Sequence, residues 1–222
     1  MIGKLLLAGE HWIYKKADAL IFTHEGYKDY LLEKKWDTAQ GGDIDLSKTY
    51  HMNNGLDIEQ FNKSITENVL IDSDLDVELF NVVYVGSIRL MNNIGNLLDA
   101  AKILKNEKGI QFLIYGDGEH KGTLDQRIID EKITNVKMKG FVNKKYIPYV
   151  LSKSSVNILN SSQSLYNWAR GSSFNKLFEY MASGKPVIST IKTGYSTIEK
   201  YNCGVELNAC TPEELAKEIL RI

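Results

Sequence analysis

Three polar side chains of one predicted helix could bind a phosphorylated ligand. Asn175, Lys176 and Glu179 lie in the stretch GSSFNKLFEYMASGKP, residues 171–186. Side chains three or four positions apart are neighbours on a helix, so these three lie close together on one side. The ammonium of Lys176 could stabilise a diphosphate, and the carboxylate of Glu179 could accept hydrogen bonds from two ribose hydroxyls. The same spacing equally fits a solvent-exposed Lys176–Glu179 ion pair worth about 0.3 kcal/mol.

Start and stop signals define this helix over residues 173–183. Ser172 or Ser173 can cap its start, Gly184 can adopt a left-handed conformation after its end, and Pro186 prevents its continuation. Its apolar stripe is expected to face a sheet and consists of Phe174, Leu177, Phe178, Met181 and Ala182. Because the helix follows a Gly/Ser-rich loop after a strand, its free N–H groups should point toward the sheet edge where α/β folds bind phosphate.

Alternating strands and helices in the second part of the chain would position this helix. Short β-branched or aromatic runs predict strands at 81–86, 111–116, 135–139, 156–159, 186–190 and 204–207. Helical spacing follows the first strand at 94–104, and a helix capped by Thr211 is expected over 212–220. Strands separated by helices of this length predict a doubly wound α/β domain with a parallel sheet.

The first part of the chain carries a weaker signal of the same kind. Strands are expected at 19–22 and 48–52, with a helix at 26–34 between them. Two strands cannot close a core of useful size, so residues 1–55 are expected to be the tail of a larger domain or to pack on the main one. Residues 56–80 are expected to form an interdomain connector with at most a short helix, and the acidic run at 72–76 is expected to be solvated.

Composition indicates a globular protein without a general attraction for polyanions. The 222 residues are 43% hydrophobic, and 27 basic residues nearly balance 28 acidic ones, which argues against nucleic acid as a partner. Cys203 and Cys210 fit neither a disulfide framework nor a zinc site, which favours a reducing cytoplasm. No run reaches the roughly 18 apolar residues of a membrane span, so at most peripheral membrane association is expected. The four histidines are scattered, and no metal is expected.

The order of several motifs resembles the family 4 retaining glycosyltransferases of the GT-B fold, in their bacterial polysaccharide-type branch. Residues 175–188, NKLFEYMASGKPVI, resemble the glutamate-containing signature of that family. Other similar segments follow in the family's order and are ADALIFT at 17–23, NGLD at 54–57, VYVGS at 83–87 and IYGDG at 114–118. The resemblance spans nearly the whole chain. It implies a Rossmann-like, nucleotide-sugar donor-binding domain at 81–222, preceded by the tail of the N-terminal acceptor-side domain.

The resemblance assigns roles to individual residues and also exposes departures from the family pattern. Glu179 matches the glutamate that binds the nucleotide ribose, but the paired glutamate eight positions earlier falls on Gly171. The arginine and lysine that usually neutralise the diphosphate fall on Ser87 and Asn92. Arg89 lies nearby, and we nominate it as their substitute, with an exposed surface arginine as the alternative.

Further contacts are expected on both sides of the diphosphate. In the branch that this chain resembles, phosphate or sugar would be contacted by Ser172, Ser173, Asn175 and Lys176. Gly86, followed by Ser87, would allow the backbone to approach the phosphates closely. Gly118, Phe141 and Val142 resemble residues that line the base pocket, although a tight turn and ordinary core packing are the competing interpretations.

These features predict an enzyme that transfers a sugar from a UDP- or GDP-linked donor to a glycan or lipid-linked acceptor. Transfer would proceed with retention and without metal or cofactor, in the cytoplasm or at the inner face of the membrane. Lys176 and Arg89 would stabilise the departing diphosphate. A nucleotide-binding subunit or regulatory module that needs a partner chain, and a GT-B sugar epimerase or phosphorylase, are the alternatives. Because most of an N-terminal domain is missing here, that domain or a partner chain would be required.

Overall fold

The computed structural model describes residues 2–75, 78–164, 167–208 and 211–222, so Cys210 and part of the acidic run lie outside the described residues. Contacts between residues divide the chain into two units. Unit 1 comprises the residues up to Asn54 together with Trp168–Ser173 and Thr193–Tyr195. Unit 2 comprises Gly55–Asn167, Phe174–Lys192 and Ser196–Ile222.

Unit 1 is a small α/β assembly. Its elements are helix α1 (Ile2–Lys16), strand β1 (Leu20–Phe22), helix α2 (Tyr27–Glu33) and strand β2 (Thr49–His51). The two strands pair in parallel, and the core beside them consists of Leu20, Tyr27, Leu31 and Ile44. The two strands and α2 agree with the elements predicted from the sequence.

Helix α1 was not predicted, because its polar residues face inward. Glu10 accepts a hydrogen bond from the Tyr30 hydroxyl at 2.7 Å, and His11 lies 2.8 Å from Asp43 while stacking on Trp36. Its exposed large apolar side chains are Ile2, Leu5, Leu6, Leu7, Trp12 and Ile13. Among the helices of the described residues, none is both long and apolar enough to cross a bilayer.

Unit 2 is built on six parallel strands in its described residues. They are β3 (Phe80–Val85), β4 (Ile110–Tyr115), β5 (Val136–Gly140), β6 (Val156–Leu159), β7 (Val187–Ser189) and β8 (Gly204–Glu206). Their order in the sheet is β5-β4-β3-β6-β7-β8, which is the doubly wound Rossmann order. All six predicted strands are therefore confirmed, with shifts of at most one residue at their ends.

Helices cover both faces of this sheet. They are α3 (Ile58–Glu67), α4 (Ile94–Ile103), α5 (Lys121–Asp130), α6 (Ile147–Ser152), α7 (Asn175–Ala182), α8 (Thr197–Lys200) and α9 (Pro212–Arg221). Successive strand residues point to opposite faces. Val82 and Tyr84 of β3 accordingly join the cluster with α4, α5 and α9, whereas Val83 and Val85 join the cluster with α3, α6, α7 and α8.

The segment between the two predicted domains is more ordered than a solvated linker. Residues 58–67 form the ten-residue helix α3, in which Phe61 is buried. The prediction of a solvated acidic run is wrong for Asp72 and Asp74, since each carboxylate lies 2.6 Å from the ammonium of Lys139 on β5. Asp72 also accepts a hydrogen bond from the Tyr115 hydroxyl at 2.9 Å. A lysine from the sheet edge therefore offsets part of the negative charge of this segment and fixes it in place.

Candidate functional site

The order of the strands places a crevice at the carboxyl ends of β3, β4 and β6. β3 is the first strand of the sheet along the chain, and its neighbours are β4 on one side and β6 on the other. The connections that follow β3 and β6 therefore leave in opposite directions, and the gap between them is where such sheets bind ligands. The loop after β3 begins at Gly86, and helix α7 follows the loop after β6.

A cavity of about 280 Å³ opens at this edge of the sheet. Four residues singled out from the sequence line it together, namely Gly86, Ser87, Phe141 and Val142. The other lining residues come from the ends of β3 and β4 and the start of α6, and they are Val85, Tyr115, Gly116, Asp117 and Ile147. Most of this lining is apolar, as expected where a flat ring is held against a protein.

Phe141 and Val142 differ in their environment. The side chain of Phe141 is 77% exposed, so its interpretation as an ordinary core residue is wrong. Val142 is partly buried and packs on the cluster that contains α6 and α7. An exposed aromatic ring at the rim of an apolar cavity offers a face on which a planar ligand can stack.

Helix α7 begins later than predicted and has a different cap. Its first residue is Asn175, whose side chain is exposed, and Phe174 occupies the N-cap position without a side-chain cap bond. The prediction that Ser172 or Ser173 caps the helix is therefore wrong. Gly184 has a φ of +67° and ends the helix as predicted.

Tyr180 ties the middle of α7 to the end of β3. Its hydroxyl donates to the carbonyl oxygen of Val85 at 3.1 Å and accepts from the N–H of Val85 at 3.0 Å. The ring is fully buried, and this burial raises the pKa of the hydroxyl, which therefore stays protonated. The two bonds fix the height of α7 relative to the loop that starts at Gly86.

The ammonium of Lys176 lies beneath this loop. Although α7 packs on one face of the sheet, Lys176 reaches Tyr84 on the other, with Nζ 3.2 Å from the hydroxyl and 4.8 Å from the ring centre. Burial lowers the pKa of Lys176 to about 8, and the nearby charge of Glu179 opposes that shift only in part. Among the described residues, no carboxylate forms an ion pair with Lys176, so the exposed Lys176–Glu179 pair considered above is not formed.

Gly86 lacks a side chain because that space is occupied. A Cβ atom placed there would lie 2.8 Å from Nζ of Lys176 and 2.8 Å from the hydroxyl oxygen of Tyr84. Gly118 has a different reason, since its Cβ would lie 2.4 Å from the carbonyl oxygen of Ile88. Gly118 does not line the cavity, and close packing of two loops accounts for it.

The carboxylate of Glu179 faces a second, larger cavity of about 520 Å³. This cavity is also lined by α3 and by Lys144, Lys145 and Pro148. Glu179 is half-buried, and desolvation raises the pKa of its carboxyl, while the charges of Lys144 and Lys176 act in the opposite direction. Glu179 lies one helical turn beyond Lys176, as expected for a ligand that extends along α7.

The loop after β3 contains two neutral residues that bond to each other. The hydroxyl of Ser87 donates to Oδ1 of Asn92 at 3.0 Å, at the positions where the resemblance leads one to expect an arginine and a lysine. Arg89 is exposed and lines a separate cavity of about 190 Å³ beside His120 and Thr123. It is therefore not brought together with the residues of the 280 Å³ cavity.

Three other residues of interest belong to unit 1. The hydroxyl of Ser173 accepts a hydrogen bond from the hydroxyl of Thr23 at 3.1 Å, and its carbonyl oxygen accepts one from the side-chain amide of Asn54 at 2.7 Å. The preceding residue, Ser172, is partly buried. Gly171, which stands where a glutamate was expected, has a φ of +95°. A residue with a side chain is strained in that conformation, so this turn disfavours glutamate.

Tyr84, Tyr180 and Asn160 complete the site and were missed by sequence reasoning. Each is buried, and each forms at least one hydrogen bond with a residue that lies far from it in the chain. Their only sequence signal is a polar atom inside a predicted strand, helix or strand end. Across the described parts of the chain, no three His, Cys, Asp or Glu side chains come together as a metal site requires.

The sheet order and this edge define a Rossmann-like domain of the kind found in GT-B glycosyltransferases. Residues 80–222 match the family model described as glycosyl transferases group 1. Because the match covers more than half of the chain, the protein belongs to that family. No curated relative matches the sequence.

Solved structures with the same fold are distant in sequence. HepE from Anabaena, in complex with UDP, superposes with a TM-score of 0.69 at 19% identity, over 94% of this chain and 55% of HepE. TarM from S. aureus superposes with a TM-score of 0.66 at 20% identity, over 97% of this chain and 38% of TarM. The C-terminal domain of LpcC from Francisella tularensis gives 0.55 at 16% identity, over 75% of this chain and 87% of that domain. The chain thus spans about half the length of HepE.

Proposed function

We propose that this chain is the donor-binding half of a glycosyltransferase that uses a UDP- or GDP-linked sugar. The observation that carries the proposal is the ammonium of Lys176, which lies partly buried beside Gly86 without a carboxylate partner in the described residues. Burying a charge is costly unless an opposite charge is close, and a ligand phosphate in the adjoining cavity would supply it. The UDP complexes of HepE and TarM make UDP the first candidate.

The ligand would lie along the edge of the sheet with its parts assigned as follows. The base would stack on Phe141 beside Val142, and the diphosphate would lie over Gly86 and Ser87 above Lys176. The ribose would donate hydrogen bonds from its hydroxyls to the carboxylate of Glu179. This arrangement would follow the direction of α7, and the free N–H groups at the start of the helix would then favour the phosphates.

The contribution of the chain to transfer would be electrostatic. When the bond between the sugar and the diphosphate breaks, negative charge develops on the leaving oxygen, and the fixed ammonium of Lys176 stabilises it. The acceptor hydroxyl oxygen would form the new bond to the sugar carbon, and its proton would pass to the departing diphosphate oxygen. We propose retention at the sugar carbon and no requirement for a metal. NMR of the product anomer and an assay with a chelator would test both parts.

We further propose that the acceptor is a glycan or lipid-linked molecule and that its site needs an additional α/β segment, from the same polypeptide or a partner chain. The exposed apolar side of α1 and the two-stranded sheet of unit 1 support this, because two parallel strands rarely stand alone. The reaction would take place in the cytoplasm or at the inner face of the membrane.

Nucleotide binding can be measured on this chain by thermal unfolding with UDP, GDP and ADP. A ligand at 100 times its Kd adds about 2.7 kcal/mol to the free energy of unfolding, which is readily detected. If no nucleotide raises the melting temperature, the donor-binding proposal is wrong. If Glu179→Ala leaves the shift unchanged, Glu179 does not bind the ribose.

A further inference from the structure

Hydrogen bonds connect Lys176 on α7 to the loop after β3, and Tyr84 links the two. The hydroxyl of Tyr84 donates to the carbonyl oxygen of Ser87 at 2.8 Å and accepts from Nζ of Lys176 at 3.2 Å. A tyrosine hydroxyl has a single proton. Because that proton is used for Ser87, the ammonium must be the donor in the second bond.

Further hydrogen bonds hold the loop after β3 in place. The hydroxyl of Ser87 donates to Asn92, and Nδ2 of Asn160 donates to the carbonyl oxygens of Asn92 and Asn93 at 2.8 Å each. Asn92 and Asn160 are 5% and 1% exposed, so water does not compete for these bonds. Asn93 has a φ of +49°, which turns the chain into α4. The loop is therefore held by neutral groups in one shape.

The position of Lys176 is set from two directions. The ring of Tyr84 lies 4.8 Å from Nζ, in the range of a favourable cation–π contact, and the hydroxyl takes one of the three ammonium protons. The absence of a side chain at Gly86 leaves room for Nζ, since a Cβ there would lie 2.8 Å away. Two ammonium protons remain for other acceptors, and the cavity lined by Gly86 lies next to them.

We propose that Tyr84 is a positioning residue for phosphate recognition. It holds the ammonium of Lys176 under Gly86, in a fixed position relative to the loop 86–93. This inference rests on the proposed nucleotide site. Tyr84 contacts no ligand itself and acts through Lys176. It follows that Tyr84 contributes to the binding of a phosphorylated ligand and contributes nothing to the binding of the same ligand without phosphate.

The test is a double-mutant cycle in which ligand affinity is measured by isothermal titration calorimetry. Tyr84→Phe keeps the buried ring and removes only the hydroxyl. UDP and uridine are titrated into the wild type, Tyr84→Phe, Lys176→Met and the double variant, with GDP and guanosine as a second pair. We expect Tyr84→Phe to weaken UDP binding by about tenfold, the effect of one hydrogen bond to a charged group, and to leave uridine binding unchanged. In the Lys176→Met background, Tyr84→Phe should have no further effect, because the group that it positions is gone.

The control is Tyr30→Phe, which removes a tyrosine hydroxyl bonded to Glu10 in unit 1 and should leave UDP affinity unchanged. A purely structural role for Tyr84 would weaken UDP and uridine alike, in both backgrounds, and would overturn the inference. Unchanged UDP affinity in Tyr84→Phe would also overturn it, while the proposed nucleotide site would stand. Failure of the wild type to bind UDP or GDP would overturn both proposals.

Discussion

The affinity for a nucleoside diphosphate should depend on pH through Lys176. Burial lowers the pKa of this ammonium to about 8 in the ligand-free protein. Only the protonated form attracts a phosphate, so bound ligand raises the pKa again. Affinity should therefore vary little through Lys176 up to about pH 7 and should fall as pH rises through the pKa of the free protein toward that of the complex.

The size of the change in affinity follows from the pKa of Lys176 in the free protein and its pKa in the complex. A phosphate charge about 4 Å from the ammonium contributes roughly 4 kcal/mol at an effective dielectric constant of 20, which corresponds to about three pH units. The pKa of the complex then lies well above 9. At pH 9 about one lysine in eleven remains protonated in the free protein, so the affinity for UDP should be about tenfold lower than at pH 7.

Lys176→Arg is the informative substitution, because arginine stays charged across this range. Its affinity for UDP should be the same at pH 7 and pH 9, measured by calorimetry in buffers of equal ionic strength. Lys176→Met should bind weakly at both values, which covers the case in which arginine does not fit beneath Gly86. Ionisation of the base affects all three proteins equally and cancels in the comparison. If wild type and Lys176→Arg lose affinity in parallel, Lys176 does not hold the phosphate.

Three further substitutions test other parts of the structure. Glu179→Gln should lower the affinity for UDP about tenfold and that for 2′-deoxy-UDP less, since a charged acceptor for ribose hydroxyls is lost; calorimetry with both ligands checks this. Lys139→Ala should lower the free energy of urea unfolding by about 2 kcal/mol at pH 7, because it leaves two carboxylates unpaired. Burial alone would raise the pKa of Asp72, but the hydrogen bonds from Lys139 and its neighbours outweigh it and hold that pKa below its usual value, so this difference should shrink as pH falls through the lowered pKa. Lys176→Met should raise the free energy of unfolding of the ligand-free protein by about 2 kcal/mol at pH 7, since it removes a buried charge.

Much of unit 2 could be predicted because its signals are local. Runs of β-branched residues predicted the six strands, and Gly184 predicted the end of α7 because glycine readily adopts a left-handed backbone conformation. The start of α7 could not be predicted in this way. Serines before a helix are compatible with capping, but Ser173 bonds to Thr23 and Asn54 instead, and only the folded unit 1 brings those residues to it.

Helix α1 escaped prediction for a related reason. Apolar periodicity predicts a helix when the apolar side is the buried side. In α1 the inward contacts are polar or aromatic and involve Glu10 and His11, and the apolar side chains face outward. The apolar periodicity of α1 therefore does not indicate which side of the helix is packed against the rest of unit 1.

The position of Lys176 affects both the stability of the folded protein and its expected affinity for phosphate. Its ammonium would be more stable in water, and the fold holds it beneath Gly86 by a tyrosine hydroxyl and ring. Ser87 and Asn92 are neutral and bond to each other, so the loop above keeps its shape without adding charge. A phosphate entering this site would meet an ammonium that is already oriented and partly desolvated, and such preorganised groups lose little free energy on reorganisation when the ligand binds. The instability of the empty site is therefore expected to be the source of its affinity, which is why Lys176→Met should stabilise the protein and weaken nucleotide binding together.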